Sequence, residues 1–224
     1  KLMKYLWSLG VGWDDPLPQD AMDAWKCYHN ELPLIGQVRV RRQVTCTGST
    51  YELHGFCDSS EIAYAAAVYI LARRPDGTMH CQLLMGKSKV ALEKKLSIPR
   101  LELCGALLLA RVITYVRTNL TTLQISRTTA WSDSTVALAW IKTPTSKLKT
   151  FVANRVAQIQ HMTSPDTWRH VPTAHNPADC ASRGLTPGEL VNHTMWWTGP
   201  DYLKKPEELW PKIDIIASDE NEKK

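Results

Sequence analysis

The period of the apolar positions changes along the chain. Between Asp20 and Leu32, the residues Met22, Trp25, Tyr28 and Leu32 recur at roughly helical spacing, which predicts a helix starting near Asp20. Pro33 ends it, because a proline ring disfavours helical backbone in the residue before it. From Thr50 onward, residues 51–58 read as a strand ending on Asp58, residues 63–72 as a second strand rich in Ala, Val, Tyr and Ile, and residues 79–87 as a third. The second and third are separated by Arg74-Pro75-Asp76-Gly77, where Pro presets φ and Gly accepts a positive one, as a tight turn requires. Three strands joined in this way form an antiparallel meander.

Ser97-Ile98-Pro99-Arg100 then opens a long apolar helix over residues 101–116, since the missing N–H of a proline costs nothing at a helix start. Residues 128–132 read as a short strand followed by Asp133. Residues 134–141 and 148–159 read as helices and 167–171 as a strand. Asn176-Pro177-Ala178-Asp179 opens another helix, with Asn as N-cap and Pro in the first turn. The order β-β-β-α-β-α-α-β-α predicts an α/β fold: a mixed five-stranded sheet, built from the three-strand meander plus two further strands and flanked by helices. The pattern becomes irregular after Gly184, and residues 218–224 are expected to form a disordered tail. The layout is thus an accessory segment at 1–45, a main domain at 46–185 and a C-terminal extension at 186–224.

Composition narrows this picture only slightly. The chain has 224 residues, 44% of them hydrophobic, enough for a real core. Its net charge of +5 suits a nucleic-acid partner but also many other ligands. The six cysteines, Cys27, Cys46, Cys57, Cys81, Cys104 and Cys180, form no C-x-x-C pair and no zinc spacing. They read as reduced, partly buried thiols of an intracellular, reducing compartment, such as the cytoplasm or a virus-like particle, with the nucleus also compatible. No run approaches the roughly 18 apolar residues of a membrane span, so no membrane partner is expected. The absence of an initiator Met suggests a piece of a longer polypeptide.

The acids change the picture most. Asp58 and Asp133 each end an apolar strand, Glu102 sits between Leu101 and Leu103 at the start of the apolar helix, and Asp179 opens a later one. Any one of these suits a helix cap or an ordinary ion pair. Four buried carboxylates that converge would repel one another unless cations neutralised them. Carboxylates are hard oxygen ligands suited to Mg²⁺, and two such ions about 4 Å apart can stabilise both the attacking and the leaving oxygen of a phosphodiester.

Four segments resemble the ribonuclease H domain of retroelements, in particular that of Bel/Pao-type LTR retrotransposon reverse transcriptases. They are Phe56-Cys57-Asp58-Ser59-Ser60-Glu61 with Ala63-Tyr64-Ala65-Ala66, then Ser97-Ile98-Pro99-Arg100-Leu101-Glu102-Leu103, Trp131-Ser132-Asp133-Ser134-Thr135, and Asn176-Pro177-Ala178-Asp179-Cys180-Ala181-Ser182-Arg183-Gly184. Phe151-Val152-Ala153-Asn154-Arg155-Val156 is also similar, and the resemblance spans about residues 50–185. Residues 1–45, with Trp13-Asp14-Asp15-Pro16-Leu17-Pro18, resemble the connection that follows the polymerase domain. Trp196-Trp197-Thr198-Gly199-Pro200 resembles the stretch before the integrase region of such polyproteins.

The resemblance implies a ribonuclease H-like fold and an endonuclease that cuts the RNA strand of an RNA–DNA hybrid, leaving a 3′-hydroxyl and a 5′-phosphate. It implies two Mg²⁺ ions, with Mn²⁺ as a substitute, and a polymerase domain of the same polyprotein as partner. By the same resemblance, Asp58 bridges both ions, Glu102 and Asp133 serve one, and Asp179 serves the other. His175 stands in the loop where the family carries a His that aids product release, at a shorter spacing than in cellular and retroviral enzymes; an exposed loop His is the alternative.

Telling RNA from DNA means reading 2′-hydroxyls in a shallow minor groove. Ser59, Ser60, Arg100, Ser134 and Thr135 stand close enough to the acids in sequence to do so, with Arg100 the first choice for a phosphate contact. Lys87, Lys89, Lys94 and Lys95 are expected to lie in the link before the long helix, as a DNA-backbone track or a solvated loop. Asn154 and Arg155 face substrate or a helix contact. Most of the nine tryptophans are expected in packing. Two other functions compete. A non-catalytic nucleic-acid-binding or scaffolding domain derived from a retroelement would tolerate loss of acids. An integrase or transposase on the same fold would place its acids in D-D-E order.

Overall fold

The computed structural model describes residues 2–41, 43–45, 47–91 and 96–212; Lys94, Lys95 and the expected tail at 218–224 lie outside the described residues. The elements in chain order are α1 (Leu2–Leu9), α2 (Gln19–Glu31), β1 (Thr50–Ser59), β2 (Ala63–Arg73), β3 (Met79–Val90), α3 (Ile98–Asn119), β4 (Ile125–Ser132), α4 (Thr135–Lys142), α5 (Thr150–Met162), β5 (Trp168–His170), α6 (Asp179–Arg183), α7 (Pro187–Asn192) and α8 (Thr194–Thr198). The chain divides into two compact units: residues 1–42 with 184–194, and residues 43–183 with 195–224.

The first unit holds α1, α2 and α7. Helix α1 was not legible from spacing. Helix α7 begins with a capping box, in which the Thr186 side chain accepts from Glu189 N at 3.3 Å and the Glu189 carboxylate accepts from Thr186 N at 2.8 Å. The Glu31 carboxylate of α2 accepts from Gly188 N at 3.0 Å and ties the two helices together. Trp7, Trp13 and Trp25 are exposed in this unit.

The second unit is built on one sheet in the order β3-β2-β1-β4-β5. β1, β2 and β3 pair antiparallel; β4 lies parallel to β1, and β5 parallel to β4. The meander and the two further strands expected from the sequence are therefore present. The β2–β3 turn closes through Gly77 N donating to Arg74 O at 3.0 Å, with Gly77 at φ +81°. β2 reads as a nearly continuous apolar run because both faces of the sheet are covered, and β1 is buried on both faces although it carries Glu52 and His54. Strand alternation divides the runs: Leu53, Cys57, Val68 and Ile70 face one side, and Phe56, Ala67, Tyr69 and Leu71 the other.

Helices α3, α4 and α5 cover the first face with Leu103, Leu109, Ile113, Leu138 and Val156. Helix α3 begins at Ile98, one turn earlier than expected, so Glu102 lies in its second turn rather than its first. The other face is covered by the chain after α8, which the sequence left irregular. Tyr202, Leu203 and Trp210 bury Phe56 and Trp131 there. Arg127 lies over the Trp210 ring at 4.5 Å, and Glu207 accepts from both Arg127 and Arg169. His54, fully buried on the same face, meets the Trp210 ring edge-on at 5.3 Å. Burial would raise Glu52, but hydrogen bonds from His54 and Arg127 outweigh it and bring that carboxyl down to about 2.

Trp131, Trp140, Trp168 and Trp210 are buried, as expected of packing residues. Cys57, Cys81 and Cys180 are buried free thiols, Cys104 is half-buried and Cys27 exposed. Among the described residues no helix is long and apolar enough to cross a membrane.

Candidate active site

Strand register does most of the work of assembling the site. Cys57 of β1 stands opposite Ser132 of the parallel neighbour β4, so the next residue on each, Asp58 and Asp133, emerges side by side at the carboxyl ends of adjacent strands. Helix α3 brings Glu102 to the same point because Gly105 allows close approach: a Cβ there would lie 3.1 Å from the Asp58 carbonyl oxygen. Asp58, Glu102 and Asp133 thus each offer a carboxylate oxygen, all within 4.8 Å of one another.

These acids are poorly solvated. Asp58 is 3% and Glu102 8% exposed. Glu102 Oε2 and Asp133 Oδ1 are buried without a hydrogen-bond partner, while Asp133 Oδ2 accepts from Thr173 Oγ1 at 2.9 Å. Burial pushes the Asp58 carboxyl up to about 7; the Ser182 hydroxyl opposes the rise, and the charges of Asp133 and Asp179 add to it. Burial likewise raises Glu102 to about 8, reinforced by the charges of Asp133 and Asp58. Crowded hard-oxygen acceptors with unpartnered lone pairs are a donor set that a divalent cation satisfies.

Asp179 stands outside this trio. It opens α6, and its carboxylate accepts from Arg183 Nε one turn on at 2.6 Å, which pairs it within the helix. Its charge still reaches Asp58. The preceding loop is fixed by Asn176, 1% exposed, whose side-chain nitrogen donates to Cys57 O at 2.9 Å and whose oxygen accepts from Ala178 N at 3.1 Å. Helix α6 starts two residues after Pro177, so Asn176 caps the turn before it.

Ser182 Oγ donates to the Asp58 carboxylate, and the Ser60 hydroxyl donates to Ser182 O at 2.8 Å. Ser182, Thr173 and Arg183 were not singled out by sequence reasoning. Ser182 and Arg183 lie within the resembling segment, and only their i+3 and i+4 spacing from Asp179 marked them.

The other expected residues are placed as follows. Ser59 is buried next to Asp58 at the end of β1. Ser134 is the N-cap of α4, its side chain accepting from Ala137 N at 3.2 Å, and Thr135 is exposed. The Arg100 guanidinium stacks on the Phe151 ring at 4.9 Å, with Arg155 on the same ring at 3.5 Å. His175 is exposed in a short turn, its ring 6.1 Å from that of Tyr202, and is not part of the carboxylate cluster. Lys87 and Lys89 lie on the exposed end of β3 rather than in a link. Lys89, Arg111, Asn154 and Arg155, with Tyr64 and Cys104, line a groove of about 330 Å³.

The sequence pattern of the family described as Pao retrotransposon-like RNaseH-like domain matches residues 1–134, a span that contains Asp58, Glu102 and Asp133. Among solved structures the chain is similar to LC11-RNase H1, isolated from compost by a metagenomic approach, at 13% identity over 63% of this chain and 98% of that one, with a TM-score of 0.37. It is similar to the same enzyme in complex with an RNA/DNA hybrid, at 14% identity over 63% and 99% and a TM-score of 0.36. It is also similar to RNase H1 from the halophilic archaeon Halobacterium salinarum NRC-1, at 12% identity over 64% and 98% and a TM-score of 0.35. No curated protein matches the sequence. With its five-stranded sheet, its carboxylate trio and a family match over more than half its length, the chain belongs to the Pao retrotransposon-like RNaseH-like domain family.

Proposed function

We propose that this domain is an endoribonuclease that hydrolyses the RNA strand of RNA–DNA hybrids during reverse transcription of a retroelement, beside a polymerase domain of the same polyprotein. The observation that carries this reading is the convergence of Asp58, Glu102 and Asp133 with buried, unpartnered oxygens on two of them. Such a cluster is costly to bury without cations. The residues fit divalent ions, Mg²⁺ or Mn²⁺, held by the trio, with Asp179 at the margin. When bound, the ions supply charge neutralisation at the scissile phosphate and an acidified water.

The rest is the work of the chain. In the bare site burial raises the carboxyls of Asp58 and Glu102, and a cation opposite them favours their charged forms. Ser134 and Thr135 stand beside Asp133 at the surface, where small polar groups read a 2′-hydroxyl, whereas the Ser59 side chain is buried away from the surface. Arg100, stacked on Phe151, and the groove of Lys89, Arg111 and Arg155 offer fixed positive charge to phosphates.

The test is incubation of the full chain with an end-labelled RNA–DNA hybrid, duplex DNA and duplex RNA in Mg²⁺. RNA fragments with 3′-hydroxyl ends, from the hybrid alone, are the expected result. Tight hybrid binding with intact RNA would instead identify a non-catalytic binding domain. Cleavage of duplex DNA would identify a different nuclease on the same fold.

A further inference from the structure

Asp133 accepts from Thr173 in a short turn, whereas Asp58 is held by a helix that itself carries an acid of the site. The Asp58 carboxylate accepts from the hydroxyl of Ser182, 124 positions later on α6. Ser182 is 1% exposed, so this hydroxyl is shielded from bulk solvent. Its oxygen also lies 3.0 Å from the carbonyl of Asp179, one turn back. The same residue is gripped from its other side, where Ser60 at the end of β1 donates to its backbone carbonyl at 2.8 Å. Meanwhile Arg183, its neighbour, holds the Asp179 carboxylate. One helical turn therefore carries a hydroxyl aimed at Asp58, an acid and the cation that orients that acid.

We infer that Ser182 is a positioning residue of the metal site: its hydroxyl locks the Asp58 carboxylate in the orientation that faces Glu102 and Asp133 and sets the spacing between Asp58 and Asp179. This rests on the reading of the carboxylates as cation ligands. A side chain held by a hydrogen bond reaches its ligand geometry without losing rotamer freedom when the ion arrives, and partners of this outer kind typically contribute 10–100-fold in metal affinity. A serine suits the place because it is small enough for a closed site and donates to a carboxylate. An alanine would leave Asp58 free to swing toward solvent, and would leave a buried oxygen of that carboxylate unpaired.

The experiment compares the full-length wild type, Ser182→Ala, Ser182→Thr and Ser60→Ala. Mn²⁺ affinity is read from the paramagnetic resonance of free Mn²⁺, and hydrolysis of the hybrid is followed as a function of Mg²⁺. For Ser182→Ala, Mn²⁺ affinity is expected to fall about tenfold or more and the Mg²⁺ concentration at half-maximal rate to rise to match. KM for the hybrid should stay within about twofold at saturating metal, since no substrate contact is lost. Ser182→Thr, which keeps the hydroxyl, should recover most of the affinity. Ser60→Ala loosens α6 without touching Asp58, so it should lower the thermal midpoint and leave Mn²⁺ affinity close to wild type.

Unchanged Mn²⁺ affinity in Ser182→Ala would overturn the inference. So would equal losses in Ser182→Ala and Ser60→Ala, which would assign the effect to helix docking. Mn²⁺ binding by a wild type that leaves the hybrid intact would instead sink the nuclease reading while the role of Ser182 stood.

Discussion

A carboxylate at the end of an apolar strand meets two opposing demands. Desolvation favours its neutral form, and function as a ligand needs its charge. In Asp58 and Glu102 desolvation wins in the bare site, placing them at about 7 and about 8 against ordinary values of 3.8 and 4.5. The linkage has a definite sign. A carboxyl raised on folding stabilises the fold at pH below its unfolded value, and that contribution is lost as pH climbs through the folded value. Without divalent ions, the thermal midpoint should therefore fall between about pH 4 and about pH 9. Saturating Mg²⁺ should raise the midpoint far more at the alkaline end, because there the cation binds acids already ionised. Equal Mg²⁺ shifts in thermal melts at both ends would show that these two acids do not hold the ion. Asp58→Asn removes one charge from the cluster at constant volume. Hydrolysis should drop by at least about 100-fold, while the metal-free midpoint stays level or rises. Wild-type turnover by that variant would take Asp58 out of the chemistry.

At the scale of elements, the site depends on how closely α3 approaches β1. Two glycines make the contact possible. A Cβ on Gly55 would lie 2.6 Å from a Leu109 methyl, and one on Gly105 would lie 3.1 Å from the Asp58 carbonyl oxygen. In the second case the neighbour is backbone within a paired strand and cannot rotate aside. Gly105→Ala should push the Glu102-bearing turn away from Asp58, with a loss of about 1–3 kcal/mol in urea unfolding and a fall in turnover. Stability and rate both at wild-type level would mean that the helix has slack here. The elements themselves were largely legible. The three meander strands, the long helix and the two further strands follow from apolar period and turn chemistry, and they reappear within a few residues. The start of α3 was misread because Leu101 opens the continuous apolar run, whereas the helix begins at the Ser97-Ile98-Pro99 signal. Helices α1, α7 and α8 were not read from the sequence.

For the whole molecule, the segment after α8 matters as much as any helix. Residues between 196 and 210 close the second face of the sheet, with Trp210 4% exposed against Trp131 and Arg127, and Glu207 bridging Arg127 and Arg169. Trp210→Ala should cost about 3–5 kcal/mol in denaturant unfolding. A loss below about 1 kcal/mol would show the segment to be only a loose cover. By itself the sequence determined the sheet, its helical cover and the four acids, because apolar period and local turn chemistry act over a few residues. Only the tertiary structure decided that three acids meet while Asp179 stands outside them, that Ser182 grips Asp58, and that a stretch without regular period seals a core face. The meeting of the acids depends on strand register and the Ser182 contact on a partner 124 positions away, which no local spacing records; Asp179 and Arg183 stand one turn apart and pair once α6 forms.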